Sequence, residues 1–389
     1  MLYSCLVDAD FLDTERFMNG EPGRGGYDDL PTLLKRLEAY IALWQNPKTE
    51  LNYLRCKMLN TCIEAGCKPK GIYTLTVPTG GGKTVTSLAF ALRHAVTHGM
   101  KRVIYIIPYT SIIEQNAEVF RNILGSGNVL EHHSGIEFDL SDGASPEEIR
   151  RALASENWDM PVVVTTAARF FDSLYANRSS KCRKLHNLAN SVIIFDEAQM
   201  LPLCHLRPCV AAMASLAEYV GSTLVLCTAT QPSLSDLLRT YAPGHTVMEL
   251  CPQTEEIYDR FRRVTFRQAG VLEDDALAER LSNHRQVLCV VNSRRAAQQI
   301  FDRLPKEGCY HLSTLMIPTQ RQAILEEIRQ RLKNGEPCRV VSTSLIEAGV
   351  DVDFPTVYRE LAGLDSILQA AGRCNREGKR AADESIVTV

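Results

Sequence analysis

The chain has 389 residues, with 43 Lys and Arg against 46 Asp and Glu, for a net charge of -3. Hydrophobic residues at 45% and charged residues at 23% exclude a fully disordered chain, and the length accommodates two or three domains with cores of their own. The near-neutral balance excludes a wholly basic nucleic-acid coat but not a basic groove on a neutral body.

The first residues, MLYSCLVDADFLDTERF, show no charged segment followed by an apolar one, so no signal peptide is read. No apolar run approaches the ~20 residues that span a bilayer. The 13 cysteines are odd in number and none is spaced C-x-x-C, which argues against a zinc ribbon and fits the reduced thiols of a soluble, cytoplasmic protein. Gly20–Gly26 (GEPGRGG) reads as a linker, and residues 1–50 stand outside the pattern that follows.

From residue 72 onward, short apolar runs alternate with helical stretches. The runs are Ile72–Val77, Val103–Ile107, Val162–Thr166, Val192–Phe195, Leu224–Cys227, Val287–Val291 and Arg339–Ser342. Their continuous apolar character predicts strands buried on both faces, as in parallel sheets. Helices are expected at Thr84–His98, Ser111–Leu124, Pro146–Ala154, Ala167–Ala176, Ala211–Tyr219, Arg294–Leu304 and Arg321–Lys333. The alternation is that of the α/β class. A second break falls at Cys251–Thr254.

Pro78-Thr79-Gly80-Gly81-Gly82-Lys83-Thr84 joins a predicted strand to a predicted helix, the context of a phosphate-binding loop. Its glycines let backbone N–H groups wrap phosphate oxygens at a helix N-terminus. Lys83 is expected on the β- and γ-phosphates and the Thr84 hydroxyl on Mg²⁺. Val77 stands where the longer G-x-x-x-x-G-K-[ST] pattern has its first Gly, so the shorter T-G-x-G-K-T form is the one met. The strand ending at Phe195 runs into Asp196-Glu197-Ala198-Gln199. Asp196 is expected in the Mg²⁺ shell, Glu197 at the attacking water, and Gln199 with the catalytic set. Adjacent carboxylates at a buried strand end repel each other unless a cation is present.

These two sites also suit transporters, kinases and GTPases. Four later segments narrow the class. Thr228-Ala229-Thr230 ends a strand, where hydroxyls can link the acidic box to a nucleic-acid path. Asn292-Ser293 ends another, and Ser344–Asp353 follows a third. Gln369-x-x-Gly372-Arg373-x-x-Arg376 is the most specific. Two arginines three apart on a helix share one face, and across a cleft from the phosphate loop they can act as arginine fingers.

The order of these motifs over residues 51–389 resembles superfamily 2 helicases. That resemblance implies two RecA-like domains with ATP held between them and single-stranded nucleic acid across their top. It assigns Pro108, Tyr109, Thr110, Thr165 and Thr166 to the strand backbone in the first domain, and Asn292, Ser293, Thr343 and Ser344 in the second. Gly349 and Asp351 are expected at the nucleotide. Longer stretches, PTGGGKTVTSLAFALRHA (78–95), LEHHS (130–134), SVIIFDEAQMLP (191–202), CTATQP (227–232) and EAGVDVDFP…QAAGRCNREGK (347–379), resemble the CRISPR-associated signature helicase–nuclease of type I interference systems, with residues 170–202 most like subtype I-C. The resemblance implies ATP-driven movement along single-stranded DNA displaced by an RNA-guided surveillance complex.

The expected organisation is a remnant of an N-terminal nuclease-type domain at 1–50, a first RecA-like domain at 51–252 and a second at 253–389. No His-Asp dipeptide occurs among the nine histidines. Nuclease activity is therefore expected to be absent, a separate nuclease supplying the cut. Asp8 or Asp10 is either a stranded metal ligand or part of a plain acidic helix end. His132-His133 is expected to be a loop feature. Arg178, Lys181, Arg183 and Lys184 form either a phosphate contact or a solvated face. Tyr53 and Arg55 sit where this superfamily reads adenine, or on a helix surface. DNA and RNA are not separated by any residue, and a non-hydrolytic ATP-binding module is a third reading, opposed by the intact Lys83, Glu197, Arg373 and Arg376.

Overall fold

A computed structural model describes residues 1–20, 23–108, 110–136, 138, 144–229, 234–252, 254–347 and 349–389. The chain forms two compact units, Met1–Ile257 and Tyr258–Val389.

In the first unit the predicted apolar runs become strands within a residue or so of their expected ends. They are β1 (Ile72–Thr76), β2 (Arg102–Ile107), β4 (Val162–Thr166), β5 (Ser191–Phe195) and β6 (Thr223–Thr228), with β3 (Val129–His132) and β7 (Val247–Glu249) added. Among the described residues they make a seven-stranded sheet in the order β3-β4-β2-β5-β6-β1-β7. Every pairing in it is parallel. Every residue of β4, β5 and β6 is buried, because helices cover both faces. One face packs Ile104, Ile106, Val163, Ile193, Leu224 and Leu226 against Trp158, Phe170 and Met213.

The N-terminal segment contributes two helices to the same unit. Leu30–Ala42 buries Leu30, Leu33, Leu34, Leu37 and Ile41, a stripe at helical spacing, against the helices Lys83–Thr97 and Thr110–Leu124. Helix Leu2–Asn19 is held by charge more than by apolar contact, with Leu2, Leu6, Phe17 and Met18 exposed. Asp8 is buried, pairing with Arg183 Nε at 2.7 Å and accepting from Asn157 Nδ2 at 3.1 Å. Its burial rules out the plain solvated helix end expected of it; Asp10 is exposed.

The second unit holds β8 (Thr265–Arg267), β9 (Gln286–Val290), β10 (Cys309–Leu312), β11 (Cys338–Ser342), β12 (Thr356–Arg359) and β13 (Ile386–Thr388). These form a six-stranded sheet among the described residues, ordered β10-β11-β9-β12-β13-β8 and parallel throughout. The strands that apolar runs did not reveal are short, half-exposed or polar: β8 reads Thr-Phe-Arg at the sheet edge, and β12 ends on the buried Arg359.

Candidate nucleotide and nucleic-acid site

A parallel sheet delivers the C-terminal ends of all its strands to one edge, where ligands of α/β proteins bind. In the first unit that edge carries the phosphate loop after β1, Pro108 after β2, Thr166 on β4, Asp196 after β5 and Thr228 on β6. Motifs scattered from residue 78 to 230 in sequence are thereby gathered on one line, although Thr230 itself lies outside the described residues.

The loop turns back at once, Gly81 N donating to the Pro78 carbonyl at 2.9 Å. A Cβ on Gly81 would lie 2.4 Å from Val77 Cγ1, so no larger residue fits. Gly82, at φ 85°, is the left-handed N-cap from which helix Lys83–Thr97 springs. Arg55, from helix Glu50–Ala65, donates through Nε to the Gly80 carbonyl at 2.9 Å, so it braces the phosphate loop itself. Tyr53 is 56% exposed. Glu249 on β7, not anticipated from sequence, clamps the strand below the loop. Its carboxylate accepts from the Thr74 and Thr76 hydroxyls at 2.7 Å each and from the Thr76 and Cys251 amides.

Lys83 meets the acidic box directly. Its ammonium lies 2.9 Å from Asp196 Oδ1 and also contacts Glu197 Oε1. Burial alone would lower the Lys83 pKa, but the two carboxylates outweigh it and raise it. Burial raises Asp196, with Lys83 opposing and Glu197 adding to the rise. Tyr105, within β2, donates its hydroxyl to Asp196 Oδ2 at 3.1 Å, a partner its apolar surroundings in sequence did not betray. Glu197 sits at φ 49°, ψ 50°, a left-handed conformation uncommon for a non-glycine residue. From there its other oxygen accepts from Gln199 Nε2 at 2.6 Å, while Gln199 Oε1 accepts from the Thr228 hydroxyl at 2.8 Å. Lys83, Glu197, Gln199 and Thr228 thus form one continuous polar chain across β1, β5 and β6. The oxygen donors here, Asp196, Glu197 and the Thr84 hydroxyl, are of the hard type that magnesium takes, and a cationic ammonium already sits between the two acids.

The residues expected at the nucleic-acid strand are arranged less simply. Pro108 is half-buried at the end of β2. Tyr109 lies outside the described residues, as does the Thr110 side chain. Thr165 is buried, its hydroxyl donating to the His132 carbonyl at 2.7 Å, and the Thr166 hydroxyl caps helix Ala167–Leu174 by accepting from Arg169 N at 3.2 Å. Both side chains therefore brace the edge from within. His132 ends β3 and accepts from Trp158 Nε1 at 2.8 Å, and burial pushes its pKa down to about 3. His133 is 3.1 Å from Glu131. His132 is the half-buried end of the strand and His133 lies buried in the bend that follows it, and among the described residues no group of three or more His, Cys, Asp and Glu could hold a metal ion.

In the second unit, Asn292 follows β9 and is held on three sides. Its amide N–H donates to Glu360 Oε2 at 2.6 Å, its Nδ2 to the Leu361 carbonyl at 2.9 Å, and its Oδ1 accepts from Arg359 at 2.7 Å. Ser293 caps helix Arg294–Phe301. Thr343 is buried and its hydroxyl has no hydrogen-bond partner among the described residues, whereas Ser344 is exposed. The arginine motif departs from expectation. Helix Leu364–Ala371 ends before it, so Arg373 and Arg376 lie in the turn that follows rather than on one helical face. Arg373 is buried and donates to the Ile346 and Glu347 carbonyls at 3.0 and 2.6 Å. Arg376 pairs with Asp351 at 2.7 Å, next to Gly349 at φ 70°. Glu347 and Arg359, both buried and 2.7 Å apart, join this turn to Asn292; neither was singled out in sequence.

Comparison with known proteins bears on this arrangement. Residues 60–237 match the family described as DEAD/DEAH box helicase, and residues 283–379 match CRISPR-associated nuclease/helicase Cas3, C-terminal. The CRISPR-associated nuclease/helicase Cas3 of Haloferax volcanii is 26% identical over 78% of this chain. The chain is thus similar to the helicase core of Cas3 proteins. It spans 44% of the Haloferax relative, and the Cas3 protein of Methanothermobacter thermautotrophicus is similar at 22% identity over 78% of this chain and 38% of the relative. Among solved structures, T. fusca Cas3 with AMPPNP shares the fold at a TM-score of 0.67 and 17% identity, over 92% of this chain and 47% of that one. S. cerevisiae Dbp5 bound to RNA and ADP BeF3 does so at 0.59 and 19%, over 94% of this chain and 88% of that one. Both units carry the parallel α/β sheets expected, and the fold is shared with these helicase structures. Among the described residues no helix is long and apolar enough to cross a membrane.

Proposed function

We propose that the core hydrolyses ATP with Mg²⁺ and spends each cycle moving along single-stranded DNA in type I CRISPR interference, recruited by an RNA-guided surveillance complex. The observation that carries this reading is the Lys83–Glu197–Gln199–Thr228 chain, because it ties the phosphate-binding lysine to the strand-facing edge through the catalytic carboxylate. Lys83 would exchange its carboxylates for the β- and γ-phosphates. Glu197, released, would polarise the attacking water, and Gln199 would report that change to Thr228. Thr84 and Asp196 would hold the magnesium, which when bound would neutralise charge on the phosphate oxygens. Arg373 and Arg376 would stabilise the γ-phosphate in the transition state, giving up the Ile346 and Glu347 carbonyls and Asp351 to do so. The absence of any His-Asp dipeptide supports assigning DNA cleavage to other residues, as in a separate nuclease.

The test is ATP hydrolysis with Mg²⁺, with and without single-stranded DNA or RNA, in the parent chain and in Lys83→Ala and Glu197→Gln. Hydrolysis stimulated by DNA and reduced at least ~100-fold in both variants is the expected result. Stimulation by RNA alone would replace the DNA reading, and ATP binding with no turnover under any condition would replace the motor with a binding module.

A further inference from the structure

The basic run 178–184 divides in two. Arg183 and Lys184 turn inward: Arg183 pairs with Asp8 and with Glu156 at 2.8 Å, and Lys184 lies over the Trp158 ring. Arg178 and Lys181 are exposed and have no acidic partner within ion-pair distance among the described residues. They face a groove of about 950 Å³ that also takes in Pro108, Phe171, Asp172 and Tyr175. The groove lies at the C-terminal edge of the first sheet, where Pro108 follows β2 and Ala167 follows β4, beside Met200 and Pro202, which follow Gln199 almost directly. Tyr175 is 59% exposed, yet its hydroxyl donates to the Pro208 carbonyl at 2.7 Å, so the ring is pinned with much of its surface in solvent.

The geometry points to a nucleic-acid subsite here: a base of the single strand stacks on Tyr175 while Arg178 and Lys181 neutralise the flanking phosphates. A pinned aromatic beside two unpaired cations is how sequence-tolerant single-strand sites are built. Among the described residues lining the groove, Asp172 is the one acidic side chain, so the cations prevail there. The subsite rests on the proposed DNA-translocase reading and adds residues that none of the helicase motifs contains. It also gives the strand a contact on the same turn that carries Glu197 and Gln199.

The test is fluorescence-anisotropy binding of labelled oligo-dT, oligo-rU and a blunt duplex across a salt series, using the full chain, Tyr175→Ala, Tyr175→Phe and the double variant Arg178→Gln/Lys181→Gln. Tyr175→Ala is expected to weaken single-strand binding roughly 5- to 150-fold, with Tyr175→Phe losing less because the ring face remains. The double variant is expected to flatten the slope of log K against log salt by about 1.4. The loss is expected on both single strands, because stacking does not depend on the sugar. Unchanged affinity and slope in both sets of variants, with the parent binding normally, would overturn the subsite alone. A loss confined to the duplex would overturn it as well. Failure of the parent to bind any single strand would overturn the translocase reading first. Should Tyr175→Ala not fold, the double variant at two exposed positions decides.

Discussion

Gln199 bonds two side chains at once. Its amide gives a donor to Glu197 and an acceptor to Thr228, so a shift of either partner is felt by the other. Thr228→Val keeps the shape and removes the donor. Loss of a hydrogen bond of about 1 kcal/mol predicts a roughly fivefold fall in DNA-stimulated turnover with unstimulated turnover little changed, read by ATPase assays with and without oligo-dT. His94 is a second residue with a sharp consequence. Its ring bridges the Gly66 carbonyl and the Thr223 hydroxyl, tying helix Lys83–Thr97 to β6, and burial, reinforced by His98, pushes its pKa down to about 4. Below pH ~6.5 the unfolded chain takes a proton that the folded one refuses, so stability present at pH 7 is lost as pH falls from about 6.5 to about 4. His132 acts in the same direction, over a window reaching about 3. Thermal melts between pH 7.5 and 4.5 should show this decline, and His94→Gln, which keeps both hydrogen bonds without a titrating group, should flatten it.

At the scale of elements, a buried ion pair is one of the contacts that hold helix Leu2–Asn19, beside the Ser4 hydroxyl on the Cys182 carbonyl. Asp8 and Arg183 are both nearly inaccessible, and Asp8 has Asn157 as a further partner. Removing Asp8 leaves a buried guanidinium with Glu156 as its one acidic partner among the described residues, a loss of about 3 kcal/mol or more. Asp8→Ala should therefore lower the melting temperature by several degrees and expose the first helix to protease, whereas Asp10→Ala should do neither. The contrast matters because both carboxylates were equivalent candidates in sequence. The phosphate loop makes a related point: its tight turn, not its charge, excludes side chains at Gly81.

At the scale of the whole molecule, the expected motifs fall in two separate units. The first holds the phosphate loop and the acidic box, the second the arginine turn. If Arg376 completes the transition-state charge, Arg376→Ala in the full chain should retain ATP affinity and lose about 10³-fold in turnover. Equal losses in binding and turnover would place Arg376 in uniform binding instead. The Asp351 and Asp353 contacts to this arginine sit on the turn after β11, so loop and arginine motif belong to one local assembly.

Much of this was legible in the chain itself. Buried parallel strands are short unbroken apolar runs, and Val162–Thr166 or Ser191–Phe195 can be read with no partner in view. The glycines before Lys83 and the adjacent acids at 196 and 197 announce phosphate and metal chemistry because few other roles need those residues together. What tertiary structure alone decided was which polar groups are already engaged. Thr165 and Thr166 look like strand contacts but brace the sheet edge from within; Arg373 looks like a helix-face finger but lies buried in a turn. Arg183 and Lys184 differ from Arg178 and Lys181 only by where the helix Leu2–Asn19 and Trp158 happen to pack. Glu249, Arg359 and Tyr105 matter through neighbours more than 65 positions away. Residue type and spacing encode the chemistry a side chain can perform; burial and long-range partners determine whether it is free to perform it.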